Sequence, residues 1–263
     1  MKNRASISDL DRVMLECGMQ SLHPGGLKTT DEMLRKCAAG EDKEILVPGC
    51  GKGLSAAHIA ENYGARVTGL DRSRDMVAEA RIRAKREGLQ ERLHFVHSDA
   101  LPLPFPDGSF DIVIHECVST LLDTERFFSE VRRVLKPGGR SGSIDIIWRE
   151  TPPVKIVRGI RDLWDGFHTY TLKEWKKLFL QSGFTVTAAQ DLSLSLPQME
   201  SNMLKDLGAP GMMKLSYKIM TDPRLRRAMY DYWRVFRDYE EYFGYAYFVA
   251  EKADAPAGEK DEG

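Results

Sequence analysis

The sequence predicts an α/β fold, a doubly wound and mostly parallel sheet of seven strands, on three observations. Apolar runs of strand length alternate with amphipathic stretches of helix length as far as Trp148, the pattern of βαβ units. The run ILVPGCGKG, Ile45 to Gly53, breaks from apolar residues into glycines at 49, 51 and 53, as a strand does when it turns sharply into a helix. Size and composition, 263 residues of which 42% are hydrophobic and 29% charged, suit one large domain with room for an appended subdomain.

The elements follow in order. TTDEMLRKCAA (Thr29 to Ala39) has helical spacing, with Thr and Asp residues suited to an N-cap. EILVPG reads as a buried strand, LSAAHIAENYG as a helix closed by glycine, and ARVTGLD as the next strand. DMVAEARIRAKREGL (Asp75 to Leu89) is a second amphipathic helix, RLHFVHSD a third strand, ALPLPFPDGS a proline-rich loop and FDIVIHE a fourth strand. ERFFSEVRRVLKPGG is expected as a helix stopped by Pro137 and two glycines, and SGSIDIIW as a fifth strand. Right-handed crossovers place such helices on both faces of the sheet. TLKEWKKLFLQSGF (Thr171 to Phe184) is a further helix and TVTAAQ a sixth strand. A Met-rich segment of helical spacing then precedes FGYAYFVAEK (Phe243 to Lys252), the seventh strand, and ADAPAGEKDEG is expected as a disordered tail.

Composition excludes several classes of function. The formal net charge of −1 gives no basic footprint for nucleic acid. No apolar run approaches the roughly 20 residues that span a bilayer, and the start MKNRASISDLDR carries no apolar signal region, so a cytoplasmic protein is expected. Cys17, Cys37, Cys50 and Cys117 form no C-x-x-C pair. That spacing argues against a zinc site or disulfides and predicts no metal. Cys50 fits its glycine turn as a small packing residue.

The turn itself could serve two cofactor types. A dinucleotide fingerprint would place its third glycine at position 54, where Leu54 stands. Asp71 ends the second strand, 20 residues beyond Gly51, and Asp99 follows the third in VHSDALPLPF, before FDIVIHE and LKPGG. Glycines after a strand also serve as plain turn residues, and both aspartates suit helix N-caps. Their joint order favours a cofactor site.

Together these segments, from about Thr29 to Trp148, resemble class I S-adenosylmethionine-dependent methyltransferases, particularly the small-molecule group with D-x-G-C-G-x-G, D-A-x-x-L-P-F and L-K-P-G-G. The resemblance implies a Rossmann-like core that binds S-adenosyl-L-methionine. Gly49, Cys50, Gly51 and Gly53 would let the backbone close on the methionine part. Asp71, with Arg72 beside it, would hold the ribose, and Asp99 with the Ala100 backbone would read the adenine. His115 takes the position whose backbone usually faces the cofactor's amino group. The chain departs from the family at Val47, where an acid normally helps to orient that amino group.

A sulfonium methyl needs in-line positioning of an acceptor more than covalent activation. A general base is needed where the acceptor sheds a proton. His115 and Glu116, at the end of the fourth strand, are candidates for contact with the acceptor, although His115 also suits a satisfied structural histidine. His23, in SLHPGGLKTT, is a third candidate, in a segment that reads either as a flap or as a turn between helices.

Residues 1–28 are accordingly expected as an N-terminal flap, 29–191 with 243–252 as the core, 192–242 as an inserted helical substrate cap, and 253–263 as the tail. The cap's Met199, Met203, Met212, Met213, Met220 and Met229 suit an apolar small-molecule acceptor, or simple packing on the sheet. Aromatic residues in the cap and last strand are candidates for a homodimer interface. The alternatives are a non-catalytic S-adenosylmethionine-binding or scaffolding protein and, further off, an RNA methyltransferase. PRLRRAMYDYWRVFRDYEEY interleaves arginines with aromatics, but its acids dilute the basic face.

Overall fold

The computed structural model describes residues 5–20, 23 and 25–253, with residues 195–206 described by backbone alone. The expected disordered tail lies, from residue 254 onward, outside the described residues.

Two helices, α1 (Ile7–Cys17) and α2 (Gly26–Cys37), precede the sheet. No helix is expected from the polar start, yet Ser6 and Asp9 form a capping box at the head of α1. Ile7, Leu10, Val13, Met14 and Cys17 bury one stripe of that helix. The core then alternates β1 (Glu44–Pro48), α3 (Leu54–Tyr63), β2 (Arg66–Asp71), α4 (Arg74–Arg86), β3 (Leu93–His97), β4 (Phe110–Glu116), α5 (Thr124–Val134) and β5 (Leu135–Trp148). There follow α6 (Val154–Leu163), α7 (Leu172–Gln181), β6 (Phe184–Asp191), α8 (Leu196–Thr221), α9 (Pro223–Tyr239) and β7 (Phe243–Lys252). Gly208 breaks α8 with a φ of 58°.

The sheet is the doubly wound, mostly parallel one that the alternation predicts, seven strands in the order β3-β2-β1-β4-β5-β7-β6. β1 to β5 run parallel, and β7 inserts antiparallel between β5 and β6. Ile45, Leu46 and Val47 of β1 are at most 3% exposed, because helices cover both faces. The strand order reverses between β1 and β4, so a crevice opens at their carboxyl ends.

One boundary differs from expectation. The helix α5 ends at Val134, before Pro137, and Leu135 already pairs with Phe110 in the sheet. The next pairing is Arg140 with Ile112, so Lys136 to Gly139 bulge out of the strand. Pro137 disfavours helix in the residue before it, and Gly138 takes a φ of 66° in the bulge. LKPGG is therefore a strand bulge where a helical C-cap was expected.

Among the described residues, three hydrophobic clusters hold the fold together. One lies between the sheet and α2, α3 and α4, and a second between the sheet and α5 and α7. The third joins α1, α6, α8 and α9 into a helical cap over Trp148 and Phe243. Residues from the expected flap and from the expected inserted cap thus share one apolar cluster. In the second cluster Phe128 stacks on Phe179 at 4.4 Å and lies 6.0 Å from Trp175. Truncating it leaves a cavity among rigid rings. Phe128→Ala should cost about 3–5 kcal/mol in urea unfolding, and an unchanged midpoint would contradict this packing.

Candidate active site

The site begins with backbone that only glycine adopts easily. Gly49, Gly51 and Gly53 have φ of 66°, 51° and 75°. A Cβ at Gly49 would run into Val118, and one at Gly53 would meet Phe95 at 2.9 Å. A Cβ at Gly51 would meet nothing within 4 Å, so the turn leaves a cradle open beside that backbone. The Cys50 amide donates to the Leu70 carbonyl at 3.0 Å. The Gly51 amide donates to Asp71 Oδ2 at 2.9 Å, and the Ser73 amide to Asp71 Oδ1 at 2.9 Å. Asp71 thereby ties the turn after β1 to the end of β2, while each oxygen keeps a lone pair for a further donor. Burial, reinforced by Asp71, pushes the Cys50 thiol far up, which leaves it unreactive.

Around this turn, Arg72 is exposed and its carbonyl lies 3.1 Å from His97 Nε2. Asp99 is exposed and accepts from the Leu101 amide at 3.1 Å, whereas Ala100 is buried. An open glycine backbone, a half-buried carboxylate at the second strand and an exposed one after the third fit a nucleoside carrying a methionine tail. Gly51 would face that tail, Asp71 the ribose hydroxyls, and Asp99 with the Ala100 backbone the adenine.

The end of β4 sends its side chains to opposite faces. His115 is 0% exposed. Its ring meets Phe127 edge-on at 5.2 Å, with Nε2 3.2 Å from Ser141 Oγ and Nδ1 3.4 Å from Ser119 Oγ. Ser119 Oγ lies 2.9 Å from both oxygens of Asp145, which is also fully buried. The group resembles a nucleophile triad, but it is sealed from the crevice. Burial pushes His115 down to about 3 and Asp145 up to about 8, the latter against the pull of Ser119. His115 is thus a neutral, satisfied histidine, the structural one of the two readings its sequence allows, and its buried ring does not serve as an acceptor contact.

Glu116 points the other way and is 9% exposed. Thr30 Oγ1 donates to its Oε1 at 2.6 Å, Ser55 Oγ donates to its Oε2 at 2.5 Å, and His23 Nε2 lies 3.4 Å from Oε2. The structure brings together Glu116 and His23, which the sequence offered as separate candidates, and adds the hydroxyls of Thr30 and Ser55, which sequence reasoning missed. Ser55 was signalled only by its place just inside the helix after the glycine turn.

A second carboxyl went unnoticed because α1 did. Asp11 accepts from Trp164 Nε1 at 3.0 Å, and burial pushes it up to about 7 despite that bond. The helix bearing it is tied to the glycine turn, since Lys52 Nζ donates to the Leu15 carbonyl at 2.5 Å. A carboxyl held near neutrality can exchange a proton with a ligand at physiological pH. Among the described residues, no group of three or more His, Cys, Asp or Glu is placed to hold a metal, and no helix is long and apolar enough to cross a membrane. A groove of about 1070 Å³ beside Arg132, Gly183 and Lys252 lies at the amino ends of β4, β5 and β6, opposite the crevice.

These shifts make a pH-dependent contribution to folding. Asp11 and Asp145 are raised above 3.8, so the stability they confer is whole below 3.8 and is lost as pH rises through about 7 and about 8. His115, lowered from 6.5, contributes stability that is lost as pH falls from 6.5 toward about 3. Above 6.5 the carboxyls act alone among these three groups, and stability falls with rising pH. Urea unfolding of Asp145→Asn should show a slope shallower than wild type by up to about 1.4 kcal/mol per pH unit in that range. Equal slopes would mean that Asp145 ionises as freely folded as unfolded.

Residues 46–141 match the family profile described as a methyltransferase domain. The chain is 30% identical over 236 residues to an uncharacterized methyltransferase, YodH, of Bacillus subtilis strain 168, covering 89% of this chain and 95% of that one. Among solved structures, the [4+2]-cyclase SpnF superposes with a TM-score of 0.76 at 22% identity, over 95% of this chain and 93% of that one. Geranyl diphosphate C-methyltransferase from Streptomyces coelicolor A3(2), in complex with Mg2+, geranyl diphosphate and S-adenosyl-L-homocysteine, superposes with a TM-score of 0.68 at 21% identity, over 94% of this chain and 84% of that one. The B. subtilis relative is matched along nearly its whole length, and the glycine turn, Asp71, Asp99 and β4 all lie inside the matched domain. The chain belongs to the class I S-adenosylmethionine-dependent methyltransferases.

Proposed function

We propose that this enzyme transfers the methyl group of S-adenosyl-L-methionine to a small, largely apolar acceptor by direct in-line displacement beneath the helical cap. The supporting observation is the position of that cap. Its apolar cluster, with Trp148, Trp164, Tyr232 and Phe243, lies over the sheet, and α1 within it is bonded to the cofactor turn. The bound cofactor supplies an electrophilic methyl on a sulfonium. The chain orients it through the Gly49–Gly53 backbone, the Asp71 carboxylate and the Asp99–Ala100 segment. The cap excludes water and holds the acceptor in line, which is where most of the acceleration of such a displacement arises. Where the acceptor sheds a proton, Asp11 and His23 are the candidates to receive it.

The fold alone does not decide the chemistry, since one fold neighbour is named a cyclase. Following the methyl group does. Methyl-deuterated S-adenosylmethionine incubated with the protein and a small-metabolite extract should yield a labelled product by mass spectrometry. Asp71→Ala should bind the cofactor roughly 10- to 100-fold more weakly, from the loss of hydrogen bonds to a charged group, and form little product. Tight cofactor binding with no labelled product in any extract would favour the non-catalytic binder. Label on RNA would favour the nucleic-acid alternative.

A further inference from the structure

Position 47, which the resemblance would fill with an acid, holds a buried valine, so the cationic end of the cofactor's methionine lacks a carboxylate from β1. A carboxylate nevertheless reaches the same place from the neighbouring strand. β1 and β4 pair in parallel with Ile45 opposite Ile112 and Leu46 opposite Val113. Side chains two residues apart on a strand share a face, so Val47 and Glu116 project on the face of Ile45 and Ile112. The end of β4 also abuts the turn directly, since Val118 occupies the space a Cβ on Gly49 would need.

We propose that Glu116 is the carboxylate that receives the α-ammonium group of the cofactor's methionine moiety, set in place by the hydroxyls of Thr30 and Ser55. Each hydroxyl donates to one oxygen of Glu116. That fixes the plane of the carboxylate and leaves lone pairs on both oxygens. The side chain is 9% exposed, and its charge is met by two neutral hydroxyls and His23 at 3.4 Å. A carboxylate so withdrawn from water gains most from a full positive charge, and ammonium donors make the stronger class of hydrogen bond to it. Glu116 is thereby a cofactor-binding residue, not an acceptor contact, and the substitution at Val47 is a relocation of the charge by one strand. His23, from the loop before α2, lies beside the same oxygen that Ser55 bonds.

The inference rests on the cofactor assignment, and the test separates the two. Isothermal titration of the full chain would compare three ligands: S-adenosylmethionine, S-adenosylhomocysteine and methylthioadenosine. The second lacks the sulfonium charge, and the third lacks the ammonium and the rest of the amino acid. Glu116→Gln should weaken the first two by about 10- to 100-fold and leave methylthioadenosine within about twofold, which also shows that the variant is folded. Asp71→Asn should weaken all three. Unchanged S-adenosylmethionine affinity in Glu116→Gln would overturn the proposal, as would weakening of S-adenosylmethionine alone, since Glu116 would then answer the sulfonium. Equal weakening of all three ligands would also overturn it, by making Glu116 a support of the turn. If wild type binds none of the three, the cofactor assignment itself fails and the proposal with it.

Discussion

The hydrogen bond from the Gly51 amide to the Asp71 carboxylate sets the geometry on which the rest of the crevice depends. It joins the turn after β1 to the end of β2 and holds the glycine backbone open on its other side. The same carboxylate accepts the Ser73 amide just before α4, so the start of that helix shares the anchor. Gly49 and Gly53 fit because Val118 and Phe95 occupy the space side chains would need. Side-chain packing and backbone conformation thus specify the same turn, a sign of local and global preferences in agreement.

Around that fixed turn, the two faces of β4 are used for different ends. One face is sealed, with His115, Ser119 and Asp145 kept neutral among aromatic rings. The other carries the carboxyl of Glu116, with two hydroxyls donating to it. Neutral polar groups with internal partners can be buried deeply at modest cost, whereas a charge needs a route to a counter-charge. The strand therefore separates a sealed neutral network from a hydrogen-bonded carboxyl within two consecutive residues.

Much of this was legible in the sequence. The strands of the core, the glycine turn and Asp71 were visible because their signals are local: apolar run length, glycine spacing and distance along the chain. The α1 helix was not, although Ser6 and Asp9 cap it, because its polar composition hides an apolar stripe that only the cap cluster buries. Asp11 was lost with it. Glu116 and His115 were singled out together, but strand alternation says only that they differ in face, not which face meets the crevice. Thr30 and Ser55 join Glu116 across 86 and 61 residues of chain, and hydroxyls that far apart carry no pattern to read. The bulge at Lys136 to Gly139 was mistaken for a helix stop because proline and glycine punctuate both.

The placement of β7 bears on how the chain comes to exist at all. The last strand threads between β5 and β6, which are not neighbours without it. Before β7 is made, β5 therefore has one unpaired edge and β6 has no strand partner at all, and α8 and α9 emerge before the strand that completes the sheet. Exposed edges of this kind are templates for pairing with other chains. Arrival of β7 is consequently the event that closes the sheet, and a chain cut short before Phe243 would keep the β5 edge open to pairing with other chains.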